Sequence, residues 1–169
     1  MNSAQAVQQQ LGFWHGALDN VMGDCGDALN KELPGATVTS IAAIYAHLVF
    51  AEDTIVNGMI QGKPPIYPQD GREATTGVPF PGNPGMGDWA KGLQMNYPAF
   101  QEYAKEVFAN TDVYLSAVSE ADLQKKVQTP AGEQPVEWVV VTLLGTHAPQ
   151  HIGEIAALKG VQGLKGLPF

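Results

Sequence analysis

The chain has 169 residues, 44% of them apolar, and a formal net charge of −8 with only nine Lys and Arg. That length suits one domain, residues 1–169, around one core, and the apolar share is too high for a disordered chain. Phosphate and anionic-lipid partners need clustered positive charge. No basic stripe runs along this sequence, which argues against nucleic acid and against a membrane surface as partners.

A single cysteine, Cys25, leaves no intrachain disulfide to form, and its place in an apolar series reads as a buried structural thiol. The first residues, MNSAQAVQQQLGFW, lack a positive region followed by an apolar run, so they do not read as a signal peptide. No stretch approaches the roughly 20 apolar residues of a membrane span. A cytoplasmic protein is the expectation.

Helical periodicity starts with Val7, Leu11, Trp14, Leu18, Val21, Cys25 and Leu29, spaced by three and four residues on one face. Ser3 is its expected N-cap, Gly23 and Gly26 blur its end, and Pro34-Gly35 closes the segment. A second helix is expected over Val38–Ile60, capped by Thr37, with Ser40, Ala43, Ile44, His47, Ala51, Ile55 and Gly58 on its inner face. Residues 62–92 are too rich in glycine and proline for a helix, and so long a loop is often functional. It either covers one end of a site or extends the core through Ile66, Phe80 and Trp89.

A third helix is expected over Pro98–Val118, since proline suits a first helical turn. Phe100, Ala104, Val107, Phe108, Leu115 and Val118 form its apolar face. The link from Lys125 to Trp138 carries a turn at Pro130 to Gly132. The fourth helix is expected from Pro135 to Lys159, with Gly160 just past its end. Four amphipathic helices without long strands predict an all-α four-helix bundle, a fold that places ligand and metal sites between facing helices.

The fourth helix carries His147 and His151. Residues four apart on a helix sit one above the other, so both imidazoles can aim at one point. Around them lie Val139, Val140, Leu143, Leu144, Ile152, Ile155 and Leu158. Burying an imidazole without a partner costs about 1–3 kcal/mol, and a metal ion would satisfy both rings at once. Pro149, between them, removes the hydrogen bond to the Gly145 carbonyl, which either re-aims the site or follows the curvature of the helix.

An open metal site takes a third protein ligand and leaves room for another. His47, flanked by Ala43 and Ala51, and His15, at the edge of the first helix's stripe, are the candidates, and position favours His47. A lone histidine on an apolar face is more often a hydrogen-bonded core residue, and it is the pair on the fourth helix that shifts this reading. Glu154 lies on the same arc as the pair. It either orients a ligand imidazole, acts as a general base, pairs with a neighbouring helix, or points to solvent. Gly153 beside it would admit a close helix.

With YAHLVFAED around His47 and HAPQHIGEIAALKGVQG from His147, the chain resembles the DinB-like superfamily. That family carries a histidine in the second helix and an H-x3-H pair in the fourth, followed by G-[EQ]-I. The resemblance implies a four-helix bundle with a three-histidine metal site on His47, His147 and His151, holding zinc or nickel. It also implies homodimers, and in some relatives thiol transfer or isomerisation with a thiol cofactor. The chain departs from the pattern at Gln150, where an additional histidine is usual, and in its long 62–92 loop.

Three functions follow. One is a metal-dependent enzyme, hydrolase or thiol S-transferase, acting on a small-molecule substrate. A second is a non-catalytic metal- or ligand-binding, stress-related module. A third is a structural bundle whose histidines are merely buried. A thiol cofactor's carboxylates would call for basic residues, and Arg72 is the only arginine, which weighs against thiol transfer.

Overall fold

A computed structural model of the chain describes residues 1–69, 71–81 and 87–167. It is mostly helical. Four long helical stretches dominate: α1 (Ser3–Met22), α2 (Ile41–Asp53), α4 (Tyr97–Ala117) and α7 (Gly145–Val161). Between them lie the short helices α3 (Glu73–Thr76), α5 (Glu120–Leu123) and α6 (Val136–Trp138). A small antiparallel hairpin, β1 (Lys126–Thr129) with β2 (Gly132–Pro135), pairs Lys126 with Pro135 and Thr129 with Gly132. No helix among the described residues is long and apolar enough to cross a membrane.

The ends of α1 differ from expectation. Asn2, not Ser3, is the N-cap: its side chain accepts from the Gln5 N–H at 2.9 Å, and the Gln5 side chain returns the bond to the Asn2 N–H at 3.0 Å. This reciprocal box satisfies two donors that a helix start would otherwise leave open. The helix stops at Met22, and Gly26, with φ +49, turns the chain into a short 3₁₀ segment. Cys25 is buried there, and its Sγ contacts the Val21 carbonyl at 3.5 Å. Burial pushes its thiol pKa up, which suits packing rather than thiolate chemistry.

Ser40, not Thr37, caps α2 by accepting from the Ala43 N–H. Three residues of expected helix therefore lie in the approach. The sequence IAAIYAHLVFAED is apolar on every side, and a helix apolar all round belongs in the interior. In α2 every residue except His47 is buried. Beyond Asp53 the chain keeps winding as a π-helical turn, Thr54–Ile60. A second π-helical turn, Val139–Leu144, joins α6 to α7.

The expected fourth helix is thus one winding path with a wide turn in it, and it runs past Gly160. Gly163 (φ +80) takes the left-handed position. The Leu164 N–H then reaches the Lys159 carbonyl and the Gly163 N–H the Gly160 carbonyl, a paired closure of the last turn. Pro149 sits inside continuous helix. The close approach expected at Gly153 is absent, since its position opens to solvent. Gly145 supplies one instead: a Cβ there would sit 3.5 Å from Val7 Cγ2 on α1.

The long helices pack in pairs, α1 and α2 each against both α4 and α7. Residues 62–92 extend this core, although residues 70 and 82–86 lie outside the described part. Ile66, Phe80 and Trp89 pack against it half-buried, and the Tyr67 ring is fully buried between Phe50 and Tyr103. Asp53 fastens the loop. Its carboxylate, fully buried, accepts from the Ile66 N–H (2.9 Å), the Tyr67 N–H (3.2 Å), the Tyr103 hydroxyl (2.7 Å) and the Asn57 amide (2.8 Å). A buried carboxylate needs such a set of donors to stay in the interior. Gly77 (φ +70) then turns the chain where a Cβ would lie 2.3 Å from the Gln94 carbonyl oxygen, a contact only glycine avoids.

Candidate metal centre

His47 comes from the middle of α2, and His147 and His151 from successive turns of α7, where α2 and α7 pack together. One ring nitrogen from each lies within 4.8 Å of the others. His147 Nε2 stands 3.1 Å from His47 Nε2 and 3.1 Å from His151 Nε2. At Zn–N distances of about 2.0–2.1 Å, ligand nitrogens lie about 3.3 Å apart at the tetrahedral angle and about 2.9 Å apart at right angles. The observed spacing falls between these two geometries, so the three histidines could hold a divalent ion.

The proton inventory points the same way. Glu154 Oε2 lies 2.7 Å from His151 Nδ1. A carboxylate only accepts, so Nδ1 carries the proton and Nε2 presents a lone pair inward. If His147 Nε2 also carries a lone pair, it faces the His151 lone pair with nothing between. If it carries a proton, it makes one aligned bond to His151 and cannot also accept from His47. Neutral imidazoles can therefore align only one of the two 3.1 Å contacts as a hydrogen bond. A cation at the centre satisfies all three nitrogens together.

Burial, and after it the nearby His151 and His47, pushes the His147 pKa down to about 3. The ring is therefore neutral near pH 7, the form in which imidazole is a ligand. His151 is buried, while His47 and His147 are half-buried, which leaves the cluster approachable from one side. An all-imidazole set carries no charge of its own, so a bound ion would keep its full positive charge for an anionic or polar further ligand.

His15 is not part of this cluster. Its Nε2 lies 3.0 Å from Glu52 Oε2, and its ring stacks on Phe108 with centroids 3.7 Å apart. It is a partnered histidine tying α1 to α2 and α4. Among the described residues, the only group of three or more His, Cys, Asp or Glu side chains close enough to hold a metal is the three-histidine one. Two acidic residues of importance, Glu52 and Asp53, carried no period or motif that marked them. Their one signal is position, two carboxylates in a helix otherwise apolar all round, where each must find donors inside.

A helical protein with three convergent imidazoles between two of its long helices is one that could carry a metal ion. The chain belongs to the DinB superfamily, whose family profile matches residues 13–155 and so takes in all three histidines. Among solved structures, a conserved protein from Enterococcus faecalis is similar in fold. It has a TM-score of 0.79 at 15% identity, covering 96% of this chain and 99% of that one. No curated protein matches the chain.

Proposed function

We propose that the protein binds a divalent metal ion, zinc or nickel, through His47, His147 and His151, and uses it as a metal-dependent enzyme on a small-molecule substrate. The observation that carries this reading is the pair of 3.1 Å Nε2 contacts, which neutral imidazoles alone cannot both satisfy. Three protein ligands leave coordination positions open, as catalytic sites do and closed structural sites do not. A bound divalent cation supplies Lewis acidity toward a polar ligand. The chain's own part is to hold three neutral nitrogens in place, with Glu154 fixing the His151 ring and α2 keeping His47 in a dry wall.

Hydrolysis is favoured over thiol transfer. Arg72, the only arginine, is paired with Glu106 at 2.7 Å, so it is committed to α4 rather than to the carboxylates of a thiol cofactor. We infer that α1, α2, α4 and α7 form a four-helix bundle, and that it acts as a homodimer in keeping with its family. The alternative, a non-catalytic metal- or ligand-binding module, rests on the donor set itself, three imidazoles that suffice to hold an ion.

The test is a screen of metal-loaded protein against ester, amide and thiol-conjugation substrates. Turnover that disappears in His151→Ala supports the enzyme. Tight metal binding without turnover on any class favours the binding module.

A further inference from the structure

A cavity of about 500 Å³ shares no lining residue with the three histidines. It lies where the end of the first π-helical turn, the C-terminal part of α4 and strand β1 meet. That volume is in the range of small-molecule sites, about 300–1,000 Å³. Ile60, Val113, Val118, Val127 and Val136 give it an apolar wall. Val113 is 66% exposed there, one of few large apolar side chains left open to solvent.

The polar groups around it are unequal in kind. The acceptors are already used: Asp122 takes the Lys125 ammonium at 2.7 Å on one oxygen and the Ser119 hydroxyl at 2.6 Å on the other, and Gln61 Oε1 takes the Lys63 ammonium at 2.8 Å. The donors are not. The Tyr114 hydroxyl, the Gln61 amide N–H₂ and the Lys126 ammonium line the cavity and bond to no described side chain. Burial and the neighbouring Asp122 push the Tyr114 pKa up, which keeps its hydroxyl a donor. An apolar wall beside three spare donors, one of them a cation in a chain of net charge −8, complements an apolar tail with an anionic head.

We propose that this cavity binds an aliphatic carboxylate, its chain along Ile60, Val113 and Val127 and its carboxylate at Lys126, Tyr114 and Gln61. The site is separate from the three histidines and does not depend on what they hold. The probe is octanoate, titrated by calorimetry into the protein as purified, beside octanol and acetate. The expected result is one saturable site for octanoate, with octanol and acetate each at least about tenfold weaker, as loss of a charge-assisted bond or of the apolar contact implies.

Ala117 and Val113 are exposed, so Ala117→Trp can fill the cavity and Val113→Asp can place a like charge in it without disturbing the core. Unchanged circular dichroism and melting in both variants checks this. Both should weaken octanoate by about tenfold or more, as should Lys126→Glu. His151→Ala should bind it as the unaltered protein does. No saturable binding, equal affinity for octanol, or a loss in His151→Ala that Ala117→Trp does not show would each overturn the assignment.

Discussion

Replacing Glu154 tests whether the carboxylate beside His151 tunes the proposed metal centre. Its Oε2 stands 2.7 Å from His151 Nδ1, a short, well-placed bond. Removing it frees the imidazole to rotate and to carry its proton on Nε2 instead, which would turn a ligand into a donor pointing at the ion. Outer partners of ligand histidines are worth about 10–100-fold in metal affinity, or about 1.4–2.8 kcal/mol. The Glu154 side chain is 46% exposed, so water screens part of that bond and the lower half of the range applies. Glu154→Ala should weaken zinc by about 10–30-fold, and Glu154→Gln, which keeps an acceptor oxygen but loses the charge, by about threefold. Competition with a chromogenic chelator at pH 7.5 reads both. If Glu154→Ala holds zinc as tightly as the unaltered protein, the carboxylate does not orient the ligand and the tautomer argument fails.

Acid should destabilise the metal-free protein. The His147 pKa is lowered to about 3 in the folded chain against about 6.5 unfolded, so between these values the unfolded chain binds the extra proton. Stability then falls as pH drops from 6.5 toward 3, by up to about 1.4 kcal/mol per pH unit from this group. Urea titrations at pH 7 and 5 read this, and His147→Phe should lose most of the difference. Asp53→Ala should cost about 3–5 kcal/mol, because it orphans two backbone N–H groups, a tyrosine hydroxyl and an amide in the interior. A loss under about 1 kcal/mol in the same titration would mean that water replaces the carboxylate.

The apolar stripes of α1 and α4 were legible because burial on one side leaves a helical period. Pro98 marked the start of α4 well, since Tyr97–Ala117 begins one residue before it. The three-histidine cluster was legible for a similar reason, as His147 and His151 lie one turn apart and His47 sits on a face of small residues. Helix starts were less so. Asn2 beat Ser3 because Gln5 could return its bond, and Ser40 beat Thr37 because the chain before it does not wind.

The π-helical turns at Thr54–Ile60 and Val139–Leu144 leave no local mark. They pack against each other, and that wider winding reflects tertiary fit rather than propensity. The hairpin is too short for alternation to show, with four residues in each strand. Asp53 was invisible for a different reason. An acidic residue reads as solvated, and its partners Ile66, Tyr67 and Tyr103 lie 13, 14 and 50 residues away.

The central claim is that His47, His147 and His151 form one metal centre. Metal analysis of untagged protein, with His47→Ala, His151→Ala and His15→Ala beside it, tests this most directly. The account predicts zinc or nickel near one equivalent per chain, lost in the first two variants and kept in His15→Ala, whose ring is engaged with Glu52. Protein that stays metal-free after dialysis against zinc and against nickel, or that loses its metal in His15→Ala but not in His47→Ala, would contradict it.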